Sequence, residues 1–260
     1  MVTKKQEILR KNNVINEAVL NVSSDQYKVF LLTLKKIGYE YENQTIQIEK
    51  LNHEYCITAK ECSHLFEHDI DNCYRSLKNS CKRLTRTPLI LTNSELNEVW
   101  EIPVYSIMKY SHNKGMIMFK FSHEIIPYLS KIDAQYMKYD LKAICNMRSM
   151  YAIRLYELVM QFKNTGWIYK QVEELRQFFG ISKDKLKMYA DLKRRVIEYS
   201  VQKVNKNNPN IGLSFEEMKS GNKVVAIRFT FNKATTANIA TPLTAITFDN
   251  LVHSNQLPLV

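Results

Sequence analysis

The sequence predicts an α+β fold made of two tandem winged helix-turn-helix domains that are related by internal duplication. The first supporting observation is the helical pattern Y-x-[V/I]-x-L-x-x-L, which begins at Tyr27 and again at Tyr151. The second is the motif Y-x-x-L-K, which begins at Tyr74 and again at Tyr189. Around these motifs both halves of the chain follow the order helix, strand, helix, helix and hairpin, which is the order of a winged helix.

Each unit is predicted to open with an amphipathic helix, from Ser24 to Gly38 and from Ser149 to Gly166. Serine is a favoured N-cap and glycine a favoured C-cap, so these four residues are the expected caps. A short strand follows at 45–48 or at 167–169, and then a short helix that ends in Leu65-Phe66 or Phe178-Phe179. The longer helices that carry Y-x-x-L-K come next. Final strands are expected at 88–91, 99–107 and 116–121, and at 211–218 and 224–231, around hairpin-like polar segments.

These elements divide the chain into an N-terminal winged-helix domain (1–128), a connecting segment (129–148), a C-terminal winged-helix domain (149–233) and a tail (234–260). Ser122 is expected to cap a short helix ahead of the connecting segment. The tail is rich in Thr and Asn and has little periodicity, so it is predicted to be a loosely held extension.

The charge of the chain indicates a polyanionic partner. The 260 residues carry 37 Lys and Arg against 26 Asp and Glu, a formal net charge of +11, which favours nucleic acid before membrane. No apolar run approaches the ~20 residues that span a bilayer, and the start MVTKKQEILRKNN lacks the apolar core of a signal peptide. The sequence therefore predicts a soluble, cytoplasmic protein without a membrane partner.

Several enzyme classes are excluded by missing motifs. The five cysteines show no C-x-x-C spacing, and the six glycines form neither a Walker A loop nor a dinucleotide fingerprint. The six histidines include no His-x-His pair, so the metal site of a rolling-circle nicking enzyme is missing. No catalytic residue, metal or cofactor is therefore expected.

One motif supports a different hypothesis. His64-Leu65-Phe66-Glu67-His68 matches H-x-x-E-H, the inverted pattern of certain zinc proteases, whose two histidines can share one metal on a helix. Five-residue matches arise often by chance, and that protease class needs a far longer chain. We interpret the histidines as partly exposed residues at the end of a short helix.

The longer helix of the first unit has a face that carries one sign of charge. Its apolar residues recur every three or four positions, and residues 72–87 contain five basic side chains and no acidic one. Solvated helix faces usually mix both signs, so this face favours contact with DNA phosphates over plain solvation. The candidate residues are Arg75, Ser76, Asn79, Lys82 and Arg83.

The longer helix of the second unit is the candidate reading helix. Recognition helices place their N-terminal residues against base edges in the major groove, where Arg can pair with guanine O6 and N7. Arg194 is predicted to read a base, while Lys193 and Arg195 are assigned to the DNA backbone. Lys187, on the exposed side at the start of this helix, is a further DNA-binding candidate. The alternative is that the basic triplet only solvates a helix near Asp191 and Glu198.

The two hairpin tips supply further candidates. Each tip carries flexible donors that suit contact with phosphates or with the minor groove. They are Lys109, His112 and Lys114 in the first tip, and Lys219, Asn222 and Lys223 in the second. Exposed turns carry such residues in many proteins, so this assignment rests on their placement in a winged fold.

Several short segments carry a resemblance to a known family. They are Asn16-Glu17-Ala18 ahead of Gln26-Tyr27-Lys28, the helix YAIRLYEL from Tyr151 to Leu158, Glu173-Glu174-Leu175-Arg176, and Leu192-Lys193-Arg194-Arg195-Val196 leading to Val204-Asn205. Together they resemble the iteron-binding plasmid replication initiators, over residues 8 to 232.

The resemblance implies a function. Members of this family bind double-stranded origin repeats as monomers, help to open the duplex and recruit the host replicative helicase or its loader. Homodimers commonly repress the initiator's own gene through the N-terminal domain. The resemblance also implies a base-reading role for Lys193, Arg194 and Arg195, and mainly backbone contacts for the first domain. A winged-helix transcriptional regulator without initiator activity is the alternative within DNA binding, and a nicking enzyme is the alternative outside it.

Overall fold

The computed structural model describes residues 7–38, 53–93, 98–130 and 136–233. Its helices are α1 (Asn13–Glu17), α2 (Ser24–Gly38), α3 (Ala59–Phe66), α4 (Ile70–Leu84), α5 (Ile126–Ser130), α6 (Met150–Gln161), α7 (Val172–Phe178) and α8, which consists of Tyr189–Leu192, Lys193–Glu198 and Tyr199–Asn207. Its strands are β1 (Ile8–Asn12), β2 (Val19–Leu20), β3 (Tyr55–Thr58), β4 (Leu89–Asn93), β5 (Glu98–Ile102), β6 (Tyr105–Ser111), β7 (Met116–Phe121), β8 (Tyr136–Asp140), β9 (Trp167–Gln171), β10 (Ser214–Ser220) and β11 (Lys223–Thr230). Short 3-10 turns lie at Leu141–Ile144 and Pro209–Ile211.

The first unit builds two antiparallel sheets around α2 and α4. Their strand orders are β2-β4-β5 and β3-β7-β6. The prediction of one strand over 99–107 is wrong, because the chain leaves the first sheet after Ile102 and enters the second at Tyr105. Pro103 lies between them, and a proline cannot donate a ladder hydrogen bond.

The element before α3 also differs from its prediction. The expected strand at 45–48 lies outside the described residues, and β3 at Tyr55–Thr58 runs directly into α3 and pairs with β7. Thr58 caps α3 and Glu61 completes the capping box. In the second unit β9 leads into α7 in the same way, so the order of elements is repeated.

The second unit is one antiparallel sheet, β10-β11-β9, packed against α6, α7 and α8. Strand β10 begins at Ser214 rather than at the predicted residue 211, because Pro209 starts a 3-10 turn and Gly212 then takes a left-handed conformation with φ +58°. The hairpin predicted at residues 219–223 is confirmed.

Two of the predicted helix caps need correction. Ser149 accepts from the Ala152 backbone and caps α6 as expected, but α2 is capped by Ser23, whose hydroxyl accepts from the Gln26 backbone. Helix α6 ends at Gln161, and Gly166, with φ +80°, closes the turn that follows instead of capping the helix. Ser122 accepts from the Ile125 backbone at the start of the turn before α5.

The two units share one apolar core, and a two-stranded sheet ties the start of the chain to the segment that connects them. Strand β1, from the start of the chain, pairs antiparallel with β8, which follows the first unit. Further links run from α1 to the second unit: Asn16 donates to the Gln161 side chain at 2.6 Å, and Gln161 donates to Glu17 at 3.0 Å. The units are therefore held in one arrangement by several independent contacts.

A buried polar cluster lies where the units meet, and we call it the Glu157 cluster: Lys11, Tyr27, Tyr139, Arg154 and Glu157. Lys11 Nζ lies 3.0 Å from Glu157 Oε1 and 2.6 Å from the Tyr27 hydroxyl. Tyr27 and Tyr139 donate to the carboxylate at 2.6 and 2.9 Å. Buried polar groups are costly unless they are paired, and here each has partners.

Burial shifts the protonation of this cluster. It lowers the pKa of Lys11 from 10.5 to about 8, although the Glu157 carboxylate acts in the opposite direction. Burial, together with the neighbouring carboxylate, raises the pKa values of Tyr27 and Tyr139 well above 10.

Over the residues that the structure describes, every helix is too short or too polar to cross a bilayer.

Candidate nucleic-acid interface

Helix α4 presents a basic outer face. Asp69 caps its start by accepting from the Asp71 backbone at 2.8 Å, and Cys73, Leu77, Ser80, Cys81 and Leu84 are buried against the first unit. The opposite face is exposed at Arg75, Asn79, Lys82 and Arg83, whereas Ser76 is half-buried. The structure therefore brings four of the five predicted residues of this helix to the surface.

Two of these arginines have partners on the protein. Arg75 donates to the Asn72 side chain, and Arg83 donates to the backbone carbonyl of Asn21 at 3.3 Å. Arg83 is thereby held over the loop between β2 and α2. Both guanidinium groups keep further donors that could reach a phosphate.

The reading helix α8 is not a regular α-helix. Its middle segment, Lys193–Glu198, is wound as a π-helix, in which backbone bonds run over five residues instead of four. Leu192, Val196 and Ile197 are buried, while Arg194 and Arg195 keep 70% and 62% of their side chains exposed. The basic triplet thus lies on the widened part of the helix, a feature that periodicity does not reveal.

A single carboxylate faces both exposed arginines. Asp191 Oδ1 lies 3.3 Å from Arg194 Nη2 and 3.5 Å from Arg195 Nε. Both pairs are exposed, so each contributes little to stability. They orient the two guanidinium groups toward the N-terminal half of α8, which is the half that recognition helices use.

Lys193 turns toward the hairpin of the second unit. Its Nζ lies 2.8 Å from Glu217 Oε1 in β10, and Tyr189 donates to the same oxygen at 2.9 Å. The hydrogen bond to Glu217 raises the pKa of Lys193, and the hydrogen bond from Lys193 lowers the pKa of Glu217. Lys193 therefore already has a protein partner, and its assignment to the DNA backbone stays a prediction.

Arg176 fixes the loop that leads into α8, a role that the sequence analysis missed. From the end of α7 it donates to the carbonyls of Lys185, Leu186 and Lys187 at 3.3, 2.7 and 3.4 Å. The loop includes a left-handed residue, Leu186 with φ +50°. Lys187 is exposed directly ahead of the helix. The only signal in the sequence is a basic residue in the last turn of the preceding helix.

The hairpin of the first unit, which we call wing 1, joins β6 to β7 and carries the exposed Lys114. Its turn packs against α4. Gly115 has φ +55°, and a Cβ there would lie 2.0 Å from the Tyr74 ring of α4. Lys109 pairs with Glu54 at 3.4 Å, and the His112 ring packs edge-on against Tyr110. Lys114 therefore lies next to a residue that contacts α4.

The hairpin of the second unit, wing 2, joins β10 to β11. Ser220 pairs with Lys223 across a turn formed by Gly221 and Asn222, and the ladder shifts register at Lys219. Among the described residues, no atom lies within 4 Å of the position of a Cβ on Gly221. Lys219 and Lys223 are exposed, so this tip projects freely from the sheet.

The H-x-x-E-H match does not form a helical metal site. Helix α3 ends at Phe66, and Glu67 takes the left-handed conformation with φ +53°. His64 is exposed on the helix, whereas His68 lies beyond its end. Because the helix stops between them, the two histidines do not share one helical face.

Comparison with known proteins identifies matching families and folds. The model described as "Initiator Replication protein, WH1" matches residues 8–160, and the model described as "Initiator Rep protein, WH2" matches residues 171–231. The Escherichia coli "PI protein" is 23% identical over 88% of this chain and 84% of its own length. An uncharacterised 27.6 kDa Escherichia coli protein is 27% identical over 96 residues, which is 37% of this chain and 40% of that protein.

A solved structure shares the fold. It is described as Pi initiator protein in complex with iteron DNA, and it aligns with a TM-score of 0.74 at 20% identity over 88% of this chain and 98% of its own. The prediction of two winged-helix domains is confirmed by this match and by both family models. Since the first model alone covers more than half of the sequence, the chain belongs to the family of initiator replication proteins.

Proposed function

We propose that this chain is a plasmid replication initiator that binds repeated sites (iterons) in double-stranded origin DNA. The observation that carries the proposal is that two winged-helix units, locked together by buried contacts, each expose a basic helix face. Two exposed basic helices, α4 and α8, on one rigid body suit a site that spans successive major grooves. The solved complex of a protein with this fold and iteron DNA supports the same assignment.

We assign the contacts as follows. Arg194 reads a base. The DNA backbone near that base is contacted by Arg195, Lys187 and Lys193. The face of α4 and the two wings contact phosphates through Arg75, Ser76, Asn79, Lys82, Arg83, Lys114, Lys219 and Lys223. Side-chain amides, hydroxyls and cations are the usual phosphate donors.

Downstream steps complete the proposal. Binding to the iterons promotes opening of the duplex and recruits the host replicative helicase or its loader, in the cytoplasm where plasmid DNA lies. A homodimeric form represses the initiator's own gene. The N-terminal domain (1–128) supplies dimerisation and backbone contacts, the C-terminal domain (149–233) supplies sequence reading, and residues 129–148 connect them. The protein acts by binding rather than by catalysis.

Footprinting on DNA that flanks the protein's own gene tests the proposal. The expected result is a ladder of regularly spaced protections. A second assay places purified protein and metal ions on the same DNA in supercoiled form and probes for unpaired bases and for nicks. Local opening without cleavage supports an initiator, protection without opening indicates a transcriptional regulator, and nicking would indicate an enzyme.

A further inference from the structure

A groove of about 340 Å³ lies between the two units. One wall is the loop between β2 and α2 with the end of α4, and it includes Asn21, Ser23 and Arg83. The other wall is the start of α6 with the turn between α7 and α8, and it includes Arg154, Gly180 and Lys185. The groove is therefore bordered by the end of one basic helix and by the loop that leads into the other.

The lining of this groove carries one sign of charge. Arg83, Arg154 and Lys185 line it, and no acidic residue is among its lining residues in the described chain. Arg83 and Lys185 are exposed, whereas the Arg154 side chain is only 4% exposed. Arg154 is also paired with the buried Glu157 carboxylate at 3.9 Å. The two exposed cations, Arg83 and Lys185, have no carboxylate among the residues that line the groove, and this arrangement favours an anion.

The groove is pre-formed because its walls are fixed to each other. Arg154 donates to the Ala18 carbonyl at 2.9 Å in the first unit and to the Phe178 carbonyl at 3.2 Å in the second. Gly180, with φ +65°, approaches so closely that a Cβ there would lie 2.8 Å from Val19 Cγ1. A ligand thus meets walls that are already in place, which reduces the entropic cost of binding.

We propose that this groove binds a phosphate of the DNA backbone that crosses between the two major grooves, with Arg83 and Lys185 as its ligands and Arg154 as the cation beneath them. The inference rests on the proposed function. If α4 and α8 lie in successive major grooves of the DNA, the DNA strand that runs between those two major grooves passes the protein groove between the units. The site then fixes the spacing between α4 and α8 on the DNA.

The test uses the full chain and ethylation interference on a duplex that covers one protected repeat. Ethylation of the phosphates midway between the two protected major grooves is expected to block DNA binding by the wild-type protein. Lys185→Ala should lose sensitivity at those central phosphates alone and bind roughly five- to tenfold more weakly near 0.1 M salt, as the loss of one phosphate contact predicts. Lys183→Ala is the matched control, because Lys183 is also exposed but does not line the groove.

A second measurement keeps this inference separate from the proposed function. On a random duplex of about 20 base pairs, spanning two helical turns, Lys185→Ala should lower the slope of log K against log salt by about one relative to Lys183→Ala. The phosphate site is overturned if Lys185→Ala still shows ethylation interference at the central phosphates. It is also overturned if Lys185→Ala and Lys183→Ala have equal slopes of log K against log salt. If wild-type protein instead shows no preference for any origin repeat, the proposed function fails. The salt slopes on the random duplex then still show whether the groove binds a DNA phosphate.

Discussion

The Nζ atom of Lys11 lies 3.0 Å from Oε1 of Glu157, although 146 positions separate the two residues along the chain. Both side chains are completely buried. Lys11 comes from the first strand and Glu157 from the first helix of the second unit, so the pair closes the boundary between the units. A buried pair of this kind makes each partner depend on the other.

Lys11→Met is therefore expected to destabilise the protein by about 3 kcal/mol or more. It removes the buried hydrogen bonds of Lys11 Nζ to Glu157, Tyr27 and Asn16, and it leaves Arg154, at 3.9 Å, as the remaining cation beside the Glu157 carboxylate. Urea unfolding followed by circular dichroism measures the loss. The control is the double variant Lys11→Met/Glu157→Gln, in which neither charge remains and part of the stability should return. If the double variant is as unstable as the sum of the single ones, the two side chains do not interact energetically.

The same pair predicts a pH dependence. Lys11 has a pKa of about 8 in the folded protein against 10.5 for an ordinary lysine, so the folded state releases this proton first as pH rises. The cost of keeping Lys11 protonated in the folded state is fully present below pH 8 and fades toward pH 10.5, so the stability of the wild type relative to Lys11→Met should rise in that window. Above pH 10 the raised pKa values of Tyr27 and Tyr139 act in the opposite direction in both proteins. Unfolding at pH 7, 8, 9 and 10 checks this, and a difference that falls with pH contradicts it.

DNA binding is expected to depend strongly on salt. Two basic helices and two wings can neutralise about 6 to 10 phosphates, so log K should fall against log salt with a slope of roughly −5 to −9. Fluorescence anisotropy at several salt concentrations gives the slope. A slope near −2 would place the positive charge away from the interface.

One monomer should protect about 20 base pairs. Two winged helices on one chain read major grooves about one helical turn apart, and together they cover roughly two turns of DNA. Hydroxyl-radical footprinting, at protein concentrations where size-exclusion chromatography gives the mass of a monomer, measures the length. Protection of half that length would show that only one unit binds.

Arg194→Ala should affect specificity, and Arg83→Ala should not. The exposed Arg194 is assigned to a base edge, so its loss should cost about 1–3 kcal/mol on the specific site and relax the preference at one base pair. Arg83→Ala should weaken specific and random DNA alike and reduce the salt slope by about one. Competition binding with specific and random duplexes separates the two, and circular dichroism controls for folding. Equal losses on both DNAs for Arg194→Ala would move the reading role to Lys187 or to the first unit.

Local patterns predicted the elements that local physics determines. The bounds of α2 match the prediction, and strand β7 matches residue for residue, because side-chain periodicity and turn composition are properties of a few neighbouring positions. The break at Pro103 was readable in principle, since a proline inside a predicted strand weakens that prediction. The strand at Tyr55–Thr58 was missed because it is short and gains its stability from β7, far away in sequence.

The candidate interface divides in the same way. The exposed arginines of α4 and α8 follow from helical spacing, but the pairing of Lys193 with Glu217 and the hold of Arg176 on the following loop depend on how elements pack. The π-helical segment at Lys193–Glu198 was likewise invisible, since no residue pattern in the sequence marks it. These features need the tertiary structure.

Asp191 sets a threshold that a DNA contact of Arg194 must exceed. In the free chain its carboxylate occupies both Arg194 and Arg195, and an exposed pair of this kind is worth about 0.2–1 kcal/mol. A DNA group takes Arg194 from Asp191 only when its contact is worth more than this pair, and a bidentate guanine contact, worth about 1–3 kcal/mol of discrimination, meets that condition. An acidic residue within the reading helix is therefore an internal competitor of the DNA for the arginine that is assigned to the base.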